Sequence, residues 1–160
     1  MAEIALSQKR TNGFQRPSVL CVDSRPGSRE LVMAALAGTR VRIEFADTTE
    51  EALQILSTGK DARRLPNLIL LAWQAESRGA ELLQAIKSDY DLRATPVVVF
   101  RQDITPDDAR VIYDHQANCL IEEPNLPEHR KRMLRMVGEF WFRMAELPGS
   151  ESLRYLSSSK

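Results

Sequence analysis

The chain has 160 residues, of which 43% are hydrophobic and 28% charged, and its 22 basic and 22 acidic side chains cancel. This composition is ordinary for one soluble globular domain. It argues against wholesale disorder and gives no bulk charge that would recruit nucleic acid or an anionic membrane. No run approaches the ~20 apolar residues of a membrane span, and a cytoplasmic location is the expectation.

Residues 1–16 are polar, lack a sustained period and contain Asn12-Gly13, so they read as a flexible extension ahead of a domain over 17–147. Ser18 to Val22 is a short apolar run suited to a strand buried on both faces. Arg29 to Ala37 follows with helical spacing, and Gly38 is placed to stop it. Val41 to Ala46 alternates apolar and polar residues, as a half-exposed edge strand does. Thr48 and Glu51 have the spacing of a capping box for the next helix. Asn67 to Ala72 is the most apolar run and should be the central strand. Gly79 to Ser88 reads as a helix and Pro96 to Phe100 as a strand. Thr105-Pro106-Asp107-Asp108 opens a helix reaching about His115, with proline at its first position. Cys119 to Ile121 is a last short strand, Pro127 to about Glu146 a long final helix, and 148–160 a loose tail. Five such strand–helix units imply an α/β fold, a five-stranded parallel sheet covered on both faces. The flavodoxin-like order 2-1-3-4-5 fits the size and puts the working site at the carboxyl ends of the strands.

Cys21 and Cys119 lie in apolar runs and read as buried thiols rather than a disulfide framework. His115 and His129 have no partner at metal spacing and read as surface residues. The run His129-Arg130-Lys131-Arg132 reads as a solvated helical turn.

Several stretches carry a resemblance: Asn67 to Leu71, Ile86 to Arg93, Pro96 to Val99, Ala117-Asn118, and the helix ending Gly138-Glu139-Phe140-Trp141 before Leu147-Pro148. Across residues 17–147 the chain resembles the receiver domain of bacterial response regulators, and more narrowly the single-domain regulators associated with phytochrome-type kinases. The resemblance implies an acceptor aspartate at the tip of the third strand and an acidic pair after the first strand that holds Mg²⁺. It also implies a hydroxyl residue after the fourth strand and a lysine after the fifth, the latter followed by proline after a cis peptide. Such a set stabilises the negative charge spread over a phosphoryl group in transit. This chain has Ala72 at the acceptor position, Asp23 and Ser24 at the acidic pair, Arg101 at the hydroxyl position and Glu123-Pro124 at the lysine-proline position.

Alanine has no nucleophilic oxygen, so the expectation is a pseudo-receiver that needs no cofactor. Asp23 and Glu123 face Arg101 with Arg25 nearby, a locally neutral site, so Mg²⁺ binding is expected to be weak or absent. Arg101 is expected to pair with Glu123 or Asp23 across the place of the phosphate, unless both side chains point into solvent. Trp73 could serve as a contact residue or in local packing. At ~100° per residue, Leu134, Val137 and Trp141 form one stripe on the final helix, and Met133, Met136, Phe140 and Met144 form a second beside it. The second stripe is expected to stand partly exposed as a homodimer interface, unless the tail from Leu147 to Tyr155 covers it. The function expected is that of a binding module, not an enzyme. Its partners would be a second copy, a sensor histidine kinase or another receiver. The alternative is phosphotransfer with Ser24 or Ser77 as acceptor. No paired nucleophile and base supports an enzyme.

Overall fold

The computed structural model describes residues 16–74 and 78–148. Residues 1–15 of the expected extension and most of the expected tail, as well as Ser77, lie outside the described residues. In chain order the elements are β1 (Ser18–Val22), α1 (Ser28–Leu36), β2 (Arg42–Ala46), α2 (Thr49–Asp61), β3 (Leu68–Ala72), α3 (Gly79–Ser88), β4 (Val97–Arg101), α4 (Pro106–Asp114), β5 (Cys119–Glu122) and α5 (Pro127–Glu139), with a π-helical turn at Phe140–Met144. All strand pairs are parallel and the order is β2-β1-β3-β4-β5, as the alternating pattern required.

Strand alternation sorts the core into two layers. Leu20, Val22, Ile69, Leu71, Val97 and Val99 face α2, α3 and α4, where they meet Ala52, Leu56, Leu82, Leu83, Ile86 and Ile112. Val19, Cys21, Leu68, Leu70, Val98 and Phe100 face α1 and α5, where they meet Val32, Ala35, Leu36, Leu134 and Val137. The register pairs Val22 with Ala46 and with Leu71, Ala72 with Phe100, and Arg101 with Glu122, so the carboxyl ends of the strands come level.

Two local expectations change. Gly38 does not end α1 through a left-handed residue. The backbone and hydroxyl of Thr39 both donate to the Leu36 carbonyl, at 2.9 and 2.6 Å, and close that end. The left-handed glycine is Gly27, at φ 79°, where the chain turns into α1. At α2, the Thr48 hydroxyl accepts from the Glu51 N–H as expected, but the Glu51 carboxylate reaches the N–H of Asp47 rather than that of the cap residue. At α4 the capping box is complete, with Thr105 and Asp108 each accepting the other's N–H.

The final helix stays α-helical only to Glu139. The Ala145 N–H then donates to the Phe140 carbonyl at 2.7 Å, five residues back, and closes the π turn. The extra residue per turn swings Trp141 and Phe142 together against the α1/α5 core layer. Gly138 lies where α5 crosses α1, and a Cβ there would stand 2.6 Å from a Leu36 methyl. Leu147 is buried, and the Pro148 carbonyl accepts from Asn67 Nδ2 at 2.9 Å, beside the start of β3.

Candidate functional site: a closed charge cluster at the strand ends

Asp23 directly follows β1, and its backbone N–H continues the ladder to the Ala46 carbonyl. Its carboxylate accepts the Arg25 N–H at 2.9 Å, an Asx turn that folds the chain back over the strand end. The Arg25 guanidinium then spans both acids of the site. Nε and Nη2 reach the Asp23 oxygens at 3.0 and 2.8 Å, and Nη1 and Nη2 reach the two Glu123 oxygens at 2.7 and 3.0 Å. Glu123 is held from below by its N–H on the Arg101 carbonyl, and its side chain is 4% exposed. Arg130 Nε closes on the same carboxylate at 2.9 Å, while its Nη2 donates to the Ser28 hydroxyl at 3.2 Å. Ser28 donates in turn to Asp23 Oδ2 at 2.5 Å. Two acids and two guanidinium groups thus cancel within one knot that joins β1, α1, the end of β5 and α5.

Burial raises the Asp23 pKa, but hydrogen bonds from Arg25 and Ser28 outweigh it and hold the carboxyl below its usual range. Burial likewise works against the charge on Arg25, and its bonds to Asp23 and Glu123 more than restore it, so its pKa is raised. Cys21 lies just beneath, and burial followed by the Asp23 charge pushes its thiol up to about 12.

Arg101 does not join this cluster. Its Nε donates to Asp108 Oδ2 at 3.0 Å, and no ion pair to Asp23 or Glu123 forms among the described residues. The expected pairing is therefore corrected, and the reason is strand parity. Arg101 continues the alternation Val97, Val99 toward α4. Asp23 continues Val19, Cys21, and Glu123 continues Cys119, Ile121, toward α1 and α5. The capping box of α4 already fixes Asp108 where Arg101 arrives. Arg130, read from sequence as part of a solvated run, is 14% exposed and sits in the knot. Its spacing from Leu134 and Val137 puts it on the inward stripe of α5, a signal the sequence did contain. Ser28 and the bridging role of Arg25 were also missed. The spacing Asp23-x-Arg25 before a helix start was their trace.

The remaining sequence candidates separate. Ala72 is buried at the end of β3, beside Phe100, and presents a methyl group. Trp73 points to the other layer, packs on its core and lies flat over the Gly79 Cα, where a Cβ would meet the ring at 2.8 Å. Ser24 is exposed. The peptide before Pro124 is trans, like every described peptide, so the cis bond implied by the resemblance is absent. On the second stripe of α5, Met136 is 68% exposed, Phe140 49% and Met144 75%, whereas Met133 is half-buried against the core.

The donor set at the strand ends does not fit a resident divalent ion. Mg²⁺ needs several hard oxygens in near-octahedral array. Asp23 offers oxygens already bonded to Arg25 and Ser28, and Ala72 offers none. Among the described residues, no group of three or more His, Cys, Asp or Glu is placed to hold a metal, and no helix is long and apolar enough to cross a membrane.

A parallel 2-1-3-4-5 sheet with its site at the carboxyl ends of the strands is the flavodoxin-like doubly wound architecture. No family model matches the chain. It is 31% identical over 135 residues to the probable methanogenesis regulatory protein FilR2 of Methanothrix harundinacea, covering 82% of this chain and 87% of that one. It is also 31% identical over 86 residues to response regulator Rcp1 of Synechocystis, covering 53% of this chain and 58% of Rcp1. Among solved structures, the phosphorylated cyanobacterial phytochrome response regulator RcpA superposes with a TM-score of 0.77 at 29% identity, covering 84% of this chain and all of that one. The Mn²⁺-bound form of Rcp1 superposes with a TM-score of 0.75 at 25% identity, covering 83% of this chain and 99% of that one. The chain belongs to the receiver-domain response regulators of two-component signalling.

Proposed function

We propose that this chain is a pseudo-receiver: it takes no phosphoryl group and signals by protein contact. The observation that carries the reading is the methyl group of Ala72 at the end of β3, where the family places its acceptor carboxylate. The Arg25 bridge supports it. A cation fixed to the protein lies across Asp23 and Glu123, so the charge that a bound metal and a lysine would manage is neutralised internally. Serine needs a base and a metal to compete with a carboxylate as nucleophile. Exposed Ser24 adjoins only Asp23, whose oxygens are already held by Arg25 and Ser28, and Ser77 lies outside the described residues. Incubation with acetyl phosphate and Mg²⁺, read by intact mass, is expected to leave the protein unmodified. A stable phosphoryl adduct on either serine overturns the reading.

The contact surface in this proposal is the outer strip of α5, with the neighbouring α4 and β5, and its first partner is a second copy. Exposed apolar area of this kind marks an interface, and Met adapts its shape readily. Charge supports self-pairing. On the exposed flank of α4 Asp107 is paired with Arg110, which leaves Asp114 as the acid that a two-fold axis can set against Arg132 and Arg135 of α5. A sensor histidine kinase or another receiver would use the same face. Sedimentation velocity at micromolar concentration is expected to show a dimer, and a monomer throughout the range removes this part.

A further inference from the structure

The two edges of the sheet are finished differently. On β5 the Leu120 N–H, which points away from β4, is taken by the Tyr113 hydroxyl at 3.1 Å, and the Glu122 carboxylate accepts the Ile104 N–H at 3.1 Å. On β2 the Arg42 N–H donates to the Pro17 carbonyl and the Ala46 carbonyl accepts from Asp23, so Arg42, Glu44 and Ala46 turn their backbone groups to β1. Val41, Ile43 and Phe45 then turn theirs outward. Among the described residues no hydrogen bond meets the outward groups of Ile43 and Phe45.

Such an edge is a template for another strand, and its side chains specify which one. Arg42 and Glu44 are about half exposed on the face they share with Ala46, joined only by a long contact of 3.9 Å. We propose that β2 pairs antiparallel with β2 of a second copy, about a two-fold axis at Ile43. In that register Ile43 opposes its own counterpart and Val41 opposes Phe45, and each pair exchanges both N–H···O bonds. Arg42 falls opposite Glu44 of the second copy, and Glu44 opposite Arg42, at the closer spacing of about 4.5 Å between Cα atoms. An isologous contact requires this self-complementarity, and Arg42-Ile43-Glu44 has it about its own centre. The neighbouring registers that keep the outward groups paired set Arg42 against Arg42 or Glu44 against Glu44, so charge fixes the alignment. On the other face, half-buried Val41, Ile43 and Phe45 continue the α1/α5 core layer across the junction. Beyond the strand, Arg40 comes level with the Arg29–Asp47 pair of the second copy, which carries no net charge. A strand of five residues makes a small interface, so pairing belongs to roughly hundreds of micromolar, above the micromolar range proposed for α5. The inference goes beyond the proposed function and stands whether or not the α5 strip self-associates.

The test uses the full chain carrying Met136→Gln and Phe140→Ser, so that the α5 strip is silent. Raising its concentration from about 50 µM to about 1 mM is expected to slow amide exchange at Ile43 and Phe45 about threefold or more, and to leave Leu120 on the other edge unchanged. Arg42→Glu alone and Glu44→Arg alone each set like charges opposite one another and are expected to weaken pairing about tenfold. An equimolar mixture of these two variants sets acid against base again and is expected to recover the protection, which a mere disturbance of the strand would not. Three results overturn the proposal: no concentration-dependent protection at Ile43 and Phe45, protection that survives both single variants unchanged, or a mixture that fails to recover it.

Discussion

The carboxyl ends of the strands and the outer face of α5 lie on the same molecule in opposite conditions. In the knot at the strand ends each charge has a partner: Arg25, Arg130 and Ser28 hold Asp23 and Glu123, and no buried side-chain nitrogen or oxygen among the described residues lacks a hydrogen bond. On α5, Met136, Phe140 and Met144 leave apolar surface in water. In the proposed reading, the first region is where phosphoryl chemistry would otherwise occur and the second is the contact surface. Here the first is closed by its own side chains and the second is open. The same helix serves both, since Arg130 locks its start into the knot and the exposed strip occupies its far end.

The sharpest way to break this contrast is at Glu123. Glu123→Lys restores the family residue in name but places three cations together and leaves Asp23 as their sole acid. A stability loss of about 3–5 kcal/mol is expected from urea unfolding, as for a buried pair that loses one partner. A loss under about 1 kcal/mol would show that the knot is not structural. The inner face of α5 comes next. Gly138→Val forces a side chain into Leu36, with an expected cost of about 1–3 kcal/mol in thermal or urea unfolding.

A smaller effect concerns acid. The Asp23 pKa is lower folded than unfolded, so its contribution is present above the unfolded value of about 3.9 and is lost as pH falls through the folded value. The urea midpoint of the wild type should therefore fall more steeply below pH 4 than that of Asp23→Asn, and equal slopes would contradict the depressed pKa. Smallest in stability is the outer strip. Met136→Gln with Phe140→Ser should change unfolding by less than about 0.5 kcal/mol and yet abolish self-association in sedimentation. If the double variant still dimerises, the contact lies elsewhere.

Much of this was legible beforehand. The apolar runs ending at Val22, Ala72 and Phe100, the alternation of Val41 to Ala46 and the Thr105-Pro106 start gave the order of elements and the sheet they build. The exposure of Met136 followed from helical spacing, whereas Met133 of the same stripe packs against the core and Phe140 and Met144 lie in the π turn. Even the separation of Arg101 from Glu123 was encoded, because a period of two sends successive residues to opposite faces. Adjacency on neighbouring strands alone does not bring side chains together; parity must agree as well. The knot itself was harder to read. Asp23, Ser28, Glu123 and Arg130 are spread over a hundred residues, and nothing local says that they converge.

What the sequence settled by itself is the kind of sheet, the methyl group at residue 72 and the absence of a bulk charge. Each depends on residue identity or on a short period along the chain. Tertiary structure alone decided that Arg25 and Arg130 meet on one carboxylate, that the final helix loosens into a π turn, and that residue 148 is tied through Asn67 to residue 18. Those outcomes depend on distances across the fold, where packing and charge neutralisation select among partners that look alike in one dimension.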